Sequence, residues 1–110
     1  MPYAVIAEWP KGGRDTRNYD EITRRMDFDR EPPAGLIAHS AGTTADGDFR
    51  IHDVWETREA YEAFQVRRLM PMVEEVLSAL PPERQAESRP PELTVYELHH
   101  VFVPRAAVAV

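Results

Sequence analysis

Apolar and polar positions along the chain fall into two periods. Pro2 to Trp9 is β-branched and aromatic and breaks at Pro10-Lys11-Gly12-Gly13, which predicts a first strand. Tyr19, Ile22 and Met26 then recur at i, i+3 and i+7, one face of a helix that starts near Asp15 or Thr16. Asp20 and Glu21 lie early in it and Arg24 and Arg25 late, which suits the helix dipole, and Glu31-Pro32-Pro33 stops it. Gly35 to Ala41 is a short apolar run suited to a buried second strand. Gly42 to Asp48 is a turn region holding Asp46-Gly47, and Phe49 to Glu56 reads as the returning third strand. Thr57 caps a second helix whose apolar face runs from Ala60, Tyr61 and Phe64 to Leu80. Pro71 removes one backbone bond from it and predicts a kink or a restart. Residues 81–92 are rich in proline and charge and read as a solvated connection, and Glu92 to Val103 reads as the last strand.

The order βαββαβ predicts an α+β, ferredoxin-like fold: a four-stranded antiparallel sheet with two helices on one face. The opposite sheet face carries too many apolar side chains to meet water. A second copy of the same sheet is the simplest cover, so the expected assembly is a homodimer with two-fold symmetry. The domain is expected over 1–103, with 104–110 as a tail.

Composition narrows the partners. The chain has 110 residues, 43% of them hydrophobic and 29% charged, which fits one globular domain and excludes a disordered one. The net charge of −6 repels phosphates, so neither nucleic acid nor an anionic membrane is an expected partner. All but one of the 13 basic residues are arginine. With no cysteine, thiolate metal sites, disulfides and cysteine nucleophiles are excluded, and a reducing cytoplasmic setting is expected. The start of the chain meets Glu8 too soon for a signal peptide.

The run Asp53-Val54-Trp55-Glu56-Thr57-Arg58-Glu59-Ala60-Tyr61-Glu62-Ala63-Phe64, together with the element order, resembles the dimeric α/β-barrel proteins. Within them it resembles the antibiotic-biosynthesis-monooxygenase-like branch, which carries a similar run where the third strand enters the second helix. The resemblance implies a ligand pocket between sheet and helices. It also implies a choice among cofactor-independent oxidation of quinol-like aromatics by O2, lactone isomerisation or cyclisation, and non-catalytic ligand binding or a stress-response role. It does not extend to haem degradation. That branch needs an Asn on the first strand and a Trp and a His on the second helix, where this chain offers Glu8, Phe64 and Glu74. No cofactor is implied.

The candidate chemistry sits on the central hairpin. If Asp46-Gly47 closes it as a two-residue loop, Ser40 faces Asp53, Ala38 faces Trp55 and His39 faces Val54. His39 and His52 then share one face, and Asp53 and Trp55 lie on the other. A loop longer by one residue, or a bulge, reverses one strand and sets His39 against Asp53. His39 lies in an apolar run, and an imidazole titrates near neutral pH, so it is the candidate general base; the alternative is a histidine satisfied by a backbone carbonyl. Asp53 is the candidate for orienting it. Trp55 combines a large ring with one N–H donor, and with Tyr61, His52 and Phe64 it is the candidate lining for an apolar or aromatic metabolite.

His99-His100 points to opposite sides of a strand and makes a poor metal pair, and no other grouping suggests a metal. Gly12-Gly13 lacks the surroundings of a phosphate loop, and Ser40, Ser78 and Ser88 lack a triad context.

Overall fold

The computed structural model describes residues 1–10, 16–87 and 89–104. The elements run β1 (Tyr3–Trp9), α1 (Thr16–Met26), β2 (Leu36–Thr43), β3 (Phe49–Trp55), α2 (Arg58–Phe64), α3 (Met70–Ser78), α4 (Pro82–Glu87) and β4 (Glu92–Glu97). The sheet is antiparallel throughout in the order β2-β3-β1-β4, the α+β ferredoxin-like arrangement that the element order predicts. Asp15, the Gly12-Gly13 turn and the tail beyond Pro104 lie outside the described residues.

The core lies on one sheet face. Tyr3 and Val5 of β1 and Trp55 of β3 pack against Ile22 and Met26 of α1, Tyr61 and Phe64 of α2 and Val76 of α3. The predicted α1 stripe thus supplies two buried anchors, Ile22 and Met26, with Tyr19 half-buried beside them. The helix ends at Asp27, whose φ of +48° is the left-handed geometry that closes a helix. That turn directs Phe28 back over the sheet. Arg68 reaches across from the second helix and donates to the carbonyls of Met26 (3.0 Å) and Glu31 (2.8 Å), placing a cation on the C-terminal end of α1.

Thr57 caps α2 as expected, its hydroxyl accepting from the Ala60 N–H at 3.1 Å. Pro71 acts one turn earlier than its own position. Having no N–H, it cannot bond the Arg67 carbonyl, and the backbone from Gln65 to Leu69 widens into a π turn in which the Met70 N–H reaches the Gln65 carbonyl. The helix then restarts as α3, with the proline in its first turn. Gly35, at φ +85°, passes so close to α2 that an added Cβ would sit 2.6 Å from that of Ala60.

Two expectations need correction. Pro82 to Glu87 forms α4 where a solvated connection was expected: a proline fits the first helical turn, and Arg84 donates to the buried Asn18 Oδ1 at 3.1 Å. The last strand ends at Glu97, not Val103. It pairs only with β1, which begins at Tyr3, so the ladder closes with the Leu98 N–H on the Pro2 carbonyl at 2.8 Å.

All of β4 is exposed, on both faces. Leu93 and Val95 share the face of Val5, beyond the reach of the helices, and are 51% and 43% exposed. Tyr96 lies on the opposite face, and Phe102 and Val103 follow, all exposed.

Candidate functional site

The site begins with a turn. Thr44 and Asp48 bond each other through their backbones, Thr44 N–H to the Asp48 carbonyl at 2.8 Å, and the Gly47 N–H returns to the Thr44 carbonyl at 3.0 Å. Gly47 has φ +93°, so Ala45-Asp46-Gly47 is a three-residue loop whose last residue is left-handed. The two-residue loop considered above is therefore not the one formed. One extra residue shifts the register and sets His39 opposite Asp53 and Ser40 opposite His52. A bulge at Ile37 then brings Leu36 opposite Trp55.

This register puts His39, Asp53 and Trp55 on the face that the helices cover. His39 Nδ1 lies 2.6 Å from Asp53 Oδ1, and His39 Nε2 lies 2.7 Å from the Tyr19 hydroxyl. An ionised carboxylate only accepts, so Nδ1 carries the proton. In the neutral imidazole Nε2 is then the acceptor, and the Tyr19 O–H donates to it. The phenol and imidazole planes differ by only 9°, with centroids 6.1 Å apart. The two rings are thus nearly parallel, and the hydroxyl–Nε2 bond joins them. Phe28 stands edge-on to the imidazole at 5.7 Å and Phe49 edge-on to the Tyr19 ring at 5.4 Å, which restricts both rings. The His39 side chain is 21% exposed and that of Asp53 13%, so the pair is not sealed from solvent.

Trp55 lies further along the same face and is wholly buried. Its ring packs on Phe64 (5.1 Å) and Tyr61 (5.9 Å), and Tyr61 packs on Tyr3 (6.2 Å). Among the described residues, the indole N–H of Trp55 is the buried side-chain polar group that has no hydrogen-bond partner. A buried donor left unpaired costs about 1–3 kcal/mol, so it marks a place where an acceptor belongs. Burial, and then the Asp53 charge, push the Tyr61 hydroxyl above its usual pKa, which keeps it a neutral donor.

The structure thus gathers His39, Asp53, Trp55, Tyr61 and Phe64 on one side of the sheet. His52 does not join them: it faces Ser40 on the other side and is exposed. In the sequence, helical spacing places Tyr19 only in a core stripe. Its signal was a hydroxyl on the inward face of a helix, in a chain whose second strand carries a histidine among apolar residues. Beside Phe64, a separate cleft of about 400 Å³ opens between Gly35, Glu56, Ala60, Arg67 and Arg68; none of Tyr19, His39 and Asp53 lines it. We place the chemistry at the hydrogen-bonded chain, where converging polar groups meet, and not at this cleft.

No family model and no curated protein matches the sequence. Solved structures do match the fold, and they include the antibiotic-biosynthesis-monooxygenase-like proteins that the sequence resembles. Rv0793 of Mycobacterium tuberculosis superimposes with a TM-score of 0.62 at 17% identity, over 92% of this chain and 98% of that one. The monooxygenase from the ActVA-Orf6 gene of Streptomyces coelicolor, solved with nanaomycin D, gives a TM-score of 0.61 at 17% identity over 94% and 93%. NE2512 of Nitrosomonas europaea, a protein of unknown function, gives 0.63 at 14% over 94% of each chain. At these identities the likeness establishes the shared fold. Among the described residues no helix is long and apolar enough to cross a membrane.

Proposed function

We propose that this protein is a small monooxygenase that binds an electron-rich hydroxyaromatic between its sheet and helices and lets it react directly with O2. The observation that carries this reading is the Tyr19–His39–Asp53 chain, a proton acceptor held in one tautomer at the edge of an aromatic core. The substrate loses a proton to this chain, and its ring carbon forms a bond to one oxygen of O2. The peroxide anion takes that proton back from the chain, and the hydroperoxide, whose carbon still carries a hydrogen, sheds water and leaves a carbonyl, so O2 is the oxidant and no resident cofactor is required. Asp53 holds the imidazole and stabilises the imidazolium. The Trp55 N–H and the neutral Tyr61 hydroxyl are the donors for the oxyanion that develops on the substrate. The fold relative that is a monooxygenase solved with nanaomycin D supports a small organic metabolite as the ligand.

The working unit in this reading is a homodimer. Its support is the exposed apolar surface of Leu93, Val95, Tyr96, Phe102 and Val103, which a second copy would cover.

The test is oxygen uptake with hydroxyanthrones and dihydroxynaphthalenes, on protein whose assembly state is read in parallel by native mass spectrometry. Substrate-dependent uptake by a dimer is expected, falling about 100-fold or more in His39→Ala. Uptake that His39→Ala leaves intact overturns the assignment of the base. A monomer with full activity removes the dimer from the reading.

A further inference from the structure

His39 is the obvious base of the chain, but both of its ring nitrogens are already engaged. Nδ1 is held by Asp53 at 2.6 Å and Nε2 by the Tyr19 hydroxyl at 2.7 Å. A substrate cannot deliver a proton to Nε2 without first displacing the phenol. The phenol is poorly placed for displacement: it is fixed on α1, nearly parallel to the imidazole, and packed against Phe49.

We propose that Tyr19 is the residue that exchanges the proton with the ligand, and that His39 and Asp53 act behind it as a relay. The step balances simply. The phenol proton passes to His39 Nε2, the phenolate oxygen takes the proton of the bound ligand, and the ligand is left as its anion. The positive charge formed on the imidazole rests against the Asp53 carboxylate. On the return half, Nε2 gives its proton back through the same bond. Tyr19 is thus the catalytic residue, and His39 and Asp53 are positioning and proton-holding residues.

Three observations support a relay over a structural strut between α1 and the sheet. The Tyr19 hydroxyl lies 2.7 Å from Nε2, within the distance that direct proton transfer needs. The carboxylate fixes the tautomer that makes Nε2 the acceptor. The chain is partly open, with the His39 side chain 21% exposed and that of Asp53 13%, whereas a strut between helix and sheet needs no access to solvent.

This proposal rests on the monooxygenase reading for its substrate class, and its test is built to stand without a substrate. An activated phenol attacks an arylsulfonyl fluoride: its oxygen bonds to sulfur, fluoride leaves, and the phenol proton goes to Nε2. The probe is benzenesulfonyl fluoride, with labelled residues mapped by mass spectrometry across pH 6 to 9, and the exposed Tyr96 is the internal control. Tyr19 is expected to label at least about tenfold faster than Tyr96, and that advantage is expected to vanish in His39→Gln and to shrink in Asp53→Asn. Equal labelling of the two tyrosines, or a Tyr19 rate indifferent to His39→Gln, overturns the relay.

Should His39→Gln fail to fold, the wild-type protein still decides. A nitrogen-15 spectrum of the His39 imidazole in the neutral state is expected to show the proton on Nδ1, and a proton on Nε2 overturns the relay. The two readings fail separately. His39-dependent labelling of Tyr19 with no oxygen uptake on any hydroxyaromatic sinks the oxidation and keeps the relay. Full His39-dependent uptake in Tyr19→Phe sinks the relay and keeps the oxidation.

Discussion

The aromatic layer beneath the helices has two ends that are built from similar side chains and differ in purpose. At one end Trp55, Tyr61, Phe64 and Tyr3 pack ring on ring, and Trp55 is wholly buried. At the other, Tyr19, Phe28 and Phe49 surround an imidazole and a carboxylate that stay partly open. The first end draws its energy from area removed from water. The second spends core space on polar groups, which is tolerable only because each has a partner. Rings alone therefore do not tell a packing site from a reactive one; what the rings hold in place does.

Substitutions at the sealed end break that contrast most strongly. Trp55→Ala is expected to cost roughly 3–5 kcal/mol in urea unfolding, because it empties the largest fully buried side chain. Trp55→Phe is expected to cost much less, since the lost N–H has no partner among the described residues, while ligand affinity falls; equal costs for the two variants would show that the N–H does bond within the core. Gly35→Ala comes next, at roughly 2–4 kcal/mol, from a left-handed backbone and a methyl forced against Ala60. A melting temperature unchanged by that substitution would mean that the loop moves away from α2 freely.

The smallest effect sharpens the link between the two ends. Burial, and then the Asp53 charge, raise the folded-state pKa of Tyr61 above the ordinary value of 10.0. Because the folded state holds this proton more tightly, its contribution is complete below pH 10.0 and is lost as pH climbs through the raised value. Stability followed from pH 9 to 11 should therefore fall more steeply in the native protein than in Tyr61→Phe. Parallel curves would separate Tyr61 from the Asp53 charge.

Much of the architecture is legible in the residues. Periodicity gives βαββαβ, Thr57 gives the start of α2, and Pro71 gives a discontinuity, though its form as a π turn depends on which carbonyl loses its donor. The pairing of His39 with Asp53 is not legible, because Asp46-Gly47 serves a two-residue and a three-residue loop alike, and the choice between them decides which face His39 occupies. Tyr19 stays hidden for a different reason: helical spacing reports that a position faces inward, not what its hydroxyl meets there. The short α4 is missed because Pro81-Pro82 reads as a break, although a proline also opens a helix.

The three-residue loop has a consequence for descent. From Ala38 to Gly42 the second strand carries small side chains apart from His39, so the core asks little about which way it faces. Closing the same sequence over Asp46-Gly47 alone, with Ala45 opposite Asp48, would turn this stretch over and carry the histidine to the opposite side of the sheet, with β3 and the helices untouched. A lineage could thus acquire or abandon the histidine–aspartate pair through changes at the tip that favour one closure over the other, with no substitution at either residue. In this fold, aligning the hairpin tip would say more about shared chemistry than matching the histidine itself.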